Sequence, residues 1–236
     1  MAELLTSTPR RVLAVYAHPD DSDVSCGGSL ARWAVDGSDV HVLVCTQGDK
    51  GSTDKGIDVD DLIRRRANEL SRSQEVLRVK SVRSLAHRDG ELENDLGLRE
   101  EIVRVIRALQ PDAIVCPDPL AVFFGEHYYN HRDHRVVGWA ALDAASPAAS
   151  SPLYFPDAGP PCGVEVAYLS GSLEPNVFVD ISQTIERKTD AIMCHASQLG
   201  EAGESFRRVF YERAEEAGRS VGVPFAEAFR RIYLGA

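Results

Sequence analysis

Residues 12–35 read VLAVYAHPDDSDVSCGGSLARWAV, and the order of residue types in that stretch decides the fold class. Residues 12–17 form an unbroken apolar run, the signature of a buried strand. The run ends abruptly at His18-Pro19-Asp20-Asp21. The Gly27-Gly28 pair follows, and residues 29–35 then place apolar side chains at helical intervals. A strand feeding a helix within about twenty-five residues is half of a βαβ unit.

The same alternation continues outward. Residues 40–45 (VHVLVC) predict a second strand, and residues 46–58 a loop rich in Gly and Asp. A helix follows, capped by Asp60 or Asp61 and reaching Val79, with Leu62, Ala67, Leu70 and Leu77 on its core face. Residues 82–86 give a weaker strand, residues 98–109 a helix stopped by Pro111, and residues 113–116 a strand closed by Pro117 and Pro119. Residues 135–145 read as helix and residues 147–161 as a loop of Pro, Ser and Ala. Residues 164–169 and 177–179 read as strands, residues 181–199 as the longest helix, and the last 37 residues as helix broken near Gly222–Pro224. The expected architecture is a single α/β domain over residues 1–236. It is a Rossmann-like, three-layer fold with a mostly parallel sheet and an antiparallel edge from the late strands.

Composition narrows the function. The chain has 236 residues, 44% of them hydrophobic, and a formal net charge of −10. An acidic surface repels phosphate backbones, so nucleic acid is not an expected partner. The five cysteines, Cys26, Cys45, Cys116, Cys162 and Cys194, are odd in number, widely spaced and form no CxxC pair. That pattern fits a reducing cytoplasm better than a disulfide framework. No apolar run reaches bilayer-spanning length, and the N-terminal residues do not read as a signal peptide.

Two segments carry chemistry. His18-Pro19-Asp20-Asp21 directly follows a strand, where open α/β sheets collect their functional groups. An imidazole and a carboxylate suit zinc or another borderline divalent cation. Adjacent carboxylates on a turn point in different directions, so one can bind metal while the other handles a proton. The plainer alternative is a polar turn after a buried strand. The second segment is His131-Arg132-Asp133-His134. If it opens a helix, His131 and His134 lie one turn apart on one face, and Asp133 can orient a neighbouring imidazole. A solvated helix start is the competing reading. Two His and one carboxylate make an open three-ligand set that leaves a position for water, as in a catalytic metal centre.

Taken together, AHPDDSDVSCGGSLA at residues 17–31, TQGDKG at 46–51, RANE at 66–69, RDGEL at 88–92, HRDH at 131–134 and KTDAIMCHASQ at 188–198 resemble the LmbE-like, or PIG-L, de-N-acetylases. The resemblance covers residues 12–200. It implies a metal-dependent deacetylase acting on a small-molecule N-acetylated amino sugar or its conjugate. Zinc would be held by His18, Asp21 and His134, and iron or another divalent metal could occupy the same set. It further implies Asp20 as general base, His131 as the group assisting the transition state, and Asp133 tuning a neighbouring His. Arg66 and Asp89 fall on positions associated with sugar contacts. Asp23 stands where the family usually has Glu, and Arg132 where it often has Pro, which leaves substrate identity open. An amidase for a larger acyl or thiol conjugate and a non-catalytic metal- or sugar-binding protein are the alternatives. A homo-oligomer is compatible with all three.

Overall fold

The computed structural model describes residues 3–200 and 203–235. The first strand, β1 (Glu3–Leu4), is followed by β2 (Arg11–Tyr16), α1 (Asp21–Val35), β3 (Asp39–Thr46), α2 (Val59–Leu77), β4 (Ser81–His87), α3 (Leu96–Leu109) and β5 (Ala113–Pro117). A short hairpin of β6 (Phe123–Phe124) and β7 (Tyr128–Tyr129) leads into α4 (Arg132–Asp143). Then come β8 (Val166–Ser170), β9 (Val177–Asp180), α5 (Ile185–Met193), α6 (Ala196–Leu199), α7 (Gly203–Arg219) and β10 (Ala226–Tyr233).

Eight strands form one sheet in the order β1-β9-β10-β8-β5-β2-β3-β4. All pairings are parallel except those of β10 with β8 and β9. β2 is buried on both faces. Val12, Ala14 and Tyr16 pack with Leu30 and Trp33 of α1 and with residues of α2, α5 and α7. Leu13 and Val15 pack on the opposite face against α3 and α4. Chain direction across the sheet reverses at β2, with β3 and β4 to one side and β5 and β8 to the other. The crevice at such a switch point, outside the strands' carboxyl ends, is where open α/β sheets bind ligands.

The structure corrects several boundaries. The cap of α2 is Asp58, whose side chain accepts from Asp61 N–H, and Ala67 is exposed while Arg66 turns inward. Residues 181–199 do not make one helix: the chain breaks at Cys194–His195, where His195 Nε2 reaches Asp23 Oδ2 at 2.7 Å. Among the described residues the 19-residue α2 is the longest helix. The C-terminal segment is helical only to Arg219. Residues 226–233 instead form β10, so the antiparallel strand lies inside the sheet, between β8 and β9. Glu201, Ala202 and Ala236, which the helical reading also spanned, lie outside the described residues.

β10 is a strand despite helix-forming Ala, Glu and Arg because pairing and burial override propensity. It also repairs α1, which begins at Asp21, well before the predicted start, and kinks at Cys26 (φ −146°, ψ 17°). The kink frees Val24 C=O and two N–H groups. Lys188 Nζ donates to Val24 O at 2.8 Å, and the Glu227 carboxylate accepts from Gly28 N–H at 3.0 Å and Ser29 N–H at 2.7 Å. Lys188 and Glu227 also pair with each other, both about 5% exposed. At Gly28 a Cβ would meet Ile181 at 2.7 Å, so the glycine permits this close approach. Removing one partner of a buried pair strands the other charge. Lys188→Met should therefore lower the unfolding free energy by about 3–5 kcal/mol, and Lys188→Met with Glu227→Gln should recover part of that loss in denaturant titrations.

Candidate active site

Every residue singled out in the sequence as a site candidate, with the exception of Arg66 on α2, follows the carboxyl end of β2, β4 or β5. His18 leaves β2, and a tight turn (Asp21 N–H to His18 O, 3.3 Å) starts α1 with Asp20 as its N-terminal cap residue. The turn folds Asp21 back so that its Oδ2 accepts from His18 N–H at 2.7 Å and lies 3.2 Å from His18 Nδ1. His134 enters from the first turn of α4. Its Nε2 stands 3.1 Å from Asp21 Oδ1 and 3.1 Å from His18 Nδ1.

The outer nitrogens fix what those inner atoms are. His18 Nε2–H donates to Asp89 Oδ1 at 3.0 Å, so the neutral ring keeps its lone pair on Nδ1. His134 Nδ1–H donates to Asn130 Oδ1 at 3.0 Å. The Asn130 amide is itself oriented, because its Nδ2 donates to Ala121 O at 2.8 Å. Two nitrogen lone pairs and a carboxylate thus converge on one point. Ligands about 2.0–2.2 Å from a tetrahedral cation stand roughly 3.3–3.6 Å apart, close to the separations here. The donor set fits a divalent metal, and carboxylate or amide partners behind ligating imidazoles are characteristic of such centres.

Other groupings of ligand-type atoms also fall within 4.8 Å: His18 with His131 and His134, and His18 with Asp89, His131 and Asp133. Their hydrogen bonds count against them. His131 caps α4, and its Nδ1 accepts from Asp133 N–H at 3.3 Å. Asp133, with no exposure, accepts from Gly90 N–H through Oδ2, which lies 3.7 Å from His18 Nε2. Asp89 and Asp133 therefore sit behind His18.

Charge follows geometry. Burial pulls His18 down, but Asp21, Asp133 and Asp89 outweigh it, and its pKa is pushed up to about 12. Burial also opposes protonation of His134, and Asp21 raises it nonetheless. Burial alone would raise Asp21, yet His134 and His18 hold its carboxyl well below the usual carboxylate range. The surrounding residues thus hold positive charge at this point whether a proton or a metal supplies it. His131 goes the other way: burial, then His18 and His134, lower its pKa. A neutral His131 whose Nδ1 accepts a backbone N–H presents Nε2–H as a donor.

The remaining candidates have protein partners. Asp20 is partly open, its side chain 26% accessible, and its Oδ1 accepts from Arg66 Nη2 at 2.9 Å. Arg66, read as a sugar contact, is 2% exposed and also donates to Gly48 O at 3.0 Å. Asp89, read the same way, is 8% exposed and engaged by His18. Asn130 and Gly90 were not foreseen. Asn130 lies four residues before His134, a helical spacing that was open to notice; Gly90 acts through its backbone and leaves no mark in residue type.

The chain matches the family model described as PIG-L, GlcNAc-PI de-N-acetylase, over residues 13–145. It is 34% identical over 227 residues to the diacetylchitobiose deacetylase of Thermococcus kodakarensis, covering 94% of this chain and 83% of that one. It is 33% identical to the 1D-myo-inositol 2-acetamido-2-deoxy-alpha-D-glucopyranoside deacetylase of Rhodococcus jostii, covering 80% and 82% of the two chains. The structure of the N,N'-diacetylchitobiose deacetylase from Pyrococcus horikoshii superposes with a TM-score of 0.87 at 28% identity, over 95% of this chain and 84% of that one. With a family match over more than half its length and a third of its residues shared with full-length relatives, this chain belongs to the PIG-L family of de-N-acetylases.

Proposed function

We propose that this protein is a zinc-dependent de-N-acetylase that hydrolyses the acetamide of an N-acetylated amino sugar or its conjugate. The observation that carries the reading is the convergence of His18 Nδ1, His134 Nε2 and the Asp21 carboxylate, with the outer imidazole nitrogens already committed to Asp89 and Asn130. The relatives supply the substrate class, since the three described above are named as deacetylases of N-acetylglucosamine compounds.

His18, Asp21 and His134 would hold the metal, which supplies Lewis acidity and lowers the pKa of a water from 15.7 toward about 7. Asp20 sits beside this set with Oδ1 fixed by Arg66 and Oδ2 free of any hydrogen bond among the described residues. It takes the proton of the attacking water. His131 donates its Nε2–H to the oxygen of the former carbonyl as negative charge gathers there. An imidazolium at His131 is the less favoured form, because burial disfavours charge there and positive charge held between His18 and His134 repels it. Asp20, having gained a proton, is then the group that returns it to the departing amine. Asp133 holds the His18 side of the site through Gly90 and the imidazole edge. The five free thiols go with a reducing compartment such as the cytoplasm.

Three results are expected. His18→Ala and His134→Ala each remove bound zinc, measured by elemental analysis of the purified protein, together with acetate release from N-acetylglucosamine derivatives. Asp20→Asn keeps zinc but loses turnover by about a hundred-fold or more, the usual cost of a proton-transfer group; full activity would end the base assignment. Asn130→Ala weakens zinc affinity by roughly ten- to a hundred-fold in chelator competition while the fold stays intact.

A further inference from the structure

The loops after β3 and β4, which carry the TQGDKG and RDGEL segments, clasp each other beside His18. Residues 48–51 and 88–91 are both tight turns, closed by Gly51 N–H to Gly48 O at 3.1 Å and by Glu91 N–H to Arg88 O at 3.3 Å. Asp49 and Lys50 stand at the centre of one, Asp89 and Gly90 at the centre of the other. Gly90 has a left-handed backbone (φ +76°), which a type II turn requires at its third residue.

The two centres interlock. Asp49 Oδ1 accepts from Asp89 N–H at 2.8 Å, and Lys50 Nζ donates to Asp89 O at 2.7 Å. The central side chains of one turn thus hold both backbone polar groups of a single residue in the other. Lys50 Nζ also reaches Glu91 Oε1 at 2.6 Å, and Gly90 N–H is taken by Asp133 Oδ2 at 2.6 Å. A turn at the surface can leave these groups to water; here side chains from two other segments bind three of them. The residue held most firmly is the one whose Oδ1 accepts from His18 Nε2–H. Its Oδ2 has no hydrogen bond among the described residues, so holding His18 does not use up the carboxylate.

We propose that Asp49 is a positioning residue which, with Lys50, fixes the backbone of Asp89 and thereby the carboxylate that orients His18 at the metal seat. This rests on the reading of His18 as a metal ligand. With N–H and C=O both anchored, the Cα–Cβ bond of Asp89 has a set direction, and only the side-chain rotamer is left to choose. Without the anchors the turn relaxes into solvent and the carboxylate drifts from the imidazole. Loss of the outer partner of a ligating imidazole costs about ten- to a hundred-fold in metal affinity. Asp49 is the better placed of the two anchors. It is partly buried and serves Asp89 N–H alone, through a charge-assisted bond, whereas the Lys50 ammonium is exposed and shared with Glu91.

The test is a double-mutant cycle of Asp49→Ala with Asp89→Ala, read as zinc affinity in chelator competition, with thermal unfolding of the metal-free protein followed in parallel. Asp89→Ala should weaken zinc binding by about ten- to a hundred-fold, and Asp49→Ala by about three- to ten-fold. Asp49→Asn, whose amide oxygen accepts the same N–H, should restore most of the affinity. In the Asp89→Ala background Asp49→Ala should have no further effect, because a residue acting through another loses its influence when that other is gone. An Asp49→Ala or Asp89→Ala protein that binds zinc like the parent, whatever its melting temperature, would overturn the positioning role and leave the metal seat standing. Losses that multiply in the double variant would do the same. Undiminished zinc binding by His18→Ala would overturn both. Lys50→Met, which removes the other anchor, carries the same cycle if Asp49→Ala does not fold: its loss of affinity should likewise vanish beside Asp89→Ala, and a loss that persists there counts against the proposal.

Discussion

Two imidazole lone pairs, on His18 Nδ1 and His134 Nε2, face each other at 3.1 Å with the Asp21 carboxylate against both. Left alone they would repel. Asp89 holds one ring by its outer N–H and Asn130 the other, so neither can turn its proton inward without giving up a hydrogen bond. A positive charge at the meeting point removes the conflict, and much of the surrounding structure serves to keep the conflict in place. The sheet delivers β2, β4 and β5 with their carboxyl ends on one edge, and the cap of α4 aims His131 and His134 from a single turn. The buried Lys188–Glu227 pair holds the kinked helix that carries Asp21.

Environment assigns different work to two neighbouring carboxylates. Asp21 is enclosed between imidazoles and stays ionised there. Asp20, one residue earlier, is partly open and touched by a guanidinium at one oxygen only. The same logic separates the two histidines of HRDH. His134 leans on Asp21 and is drawn toward positive charge, while burial, and then the neighbouring His18 and His134, drive His131 to the neutral form. In the proposed mechanism two carboxylates and three imidazoles would thus divide into one cation seat, one proton acceptor and one neutral donor, with no residue asked to do two incompatible things.

Much of this was legible in the sequence because local pattern and tertiary role agree. The apolar run of residues 12–17 is a strand that is buried on both faces, and the residues ending it are where a parallel sheet places chemistry. His131 and His134 are three apart, so a helix start was enough to align them. What escaped depends on distant partners. Residues 226–233 look helical and form a strand because β8 and β9 leave a place between them. Residues 181–199 look continuous and break because His195 must reach Asp23. Arg66 sits in a run of three arginines, and nothing in that run marks the inward-facing one; only the fold reveals that Gly48 and Gly51, in the loop before α2, are shaped around it.

The measurement that bears most directly on this account is X-ray absorption at the zinc edge of the metal-loaded protein. The account predicts a first shell of nitrogen and oxygen alone, about 2.0–2.1 Å from the metal, with the outer-shell scattering of two imidazoles. A sulfur neighbour at about 2.3 Å, the mark of a cysteine ligand, or a shell lacking imidazole, would contradict it.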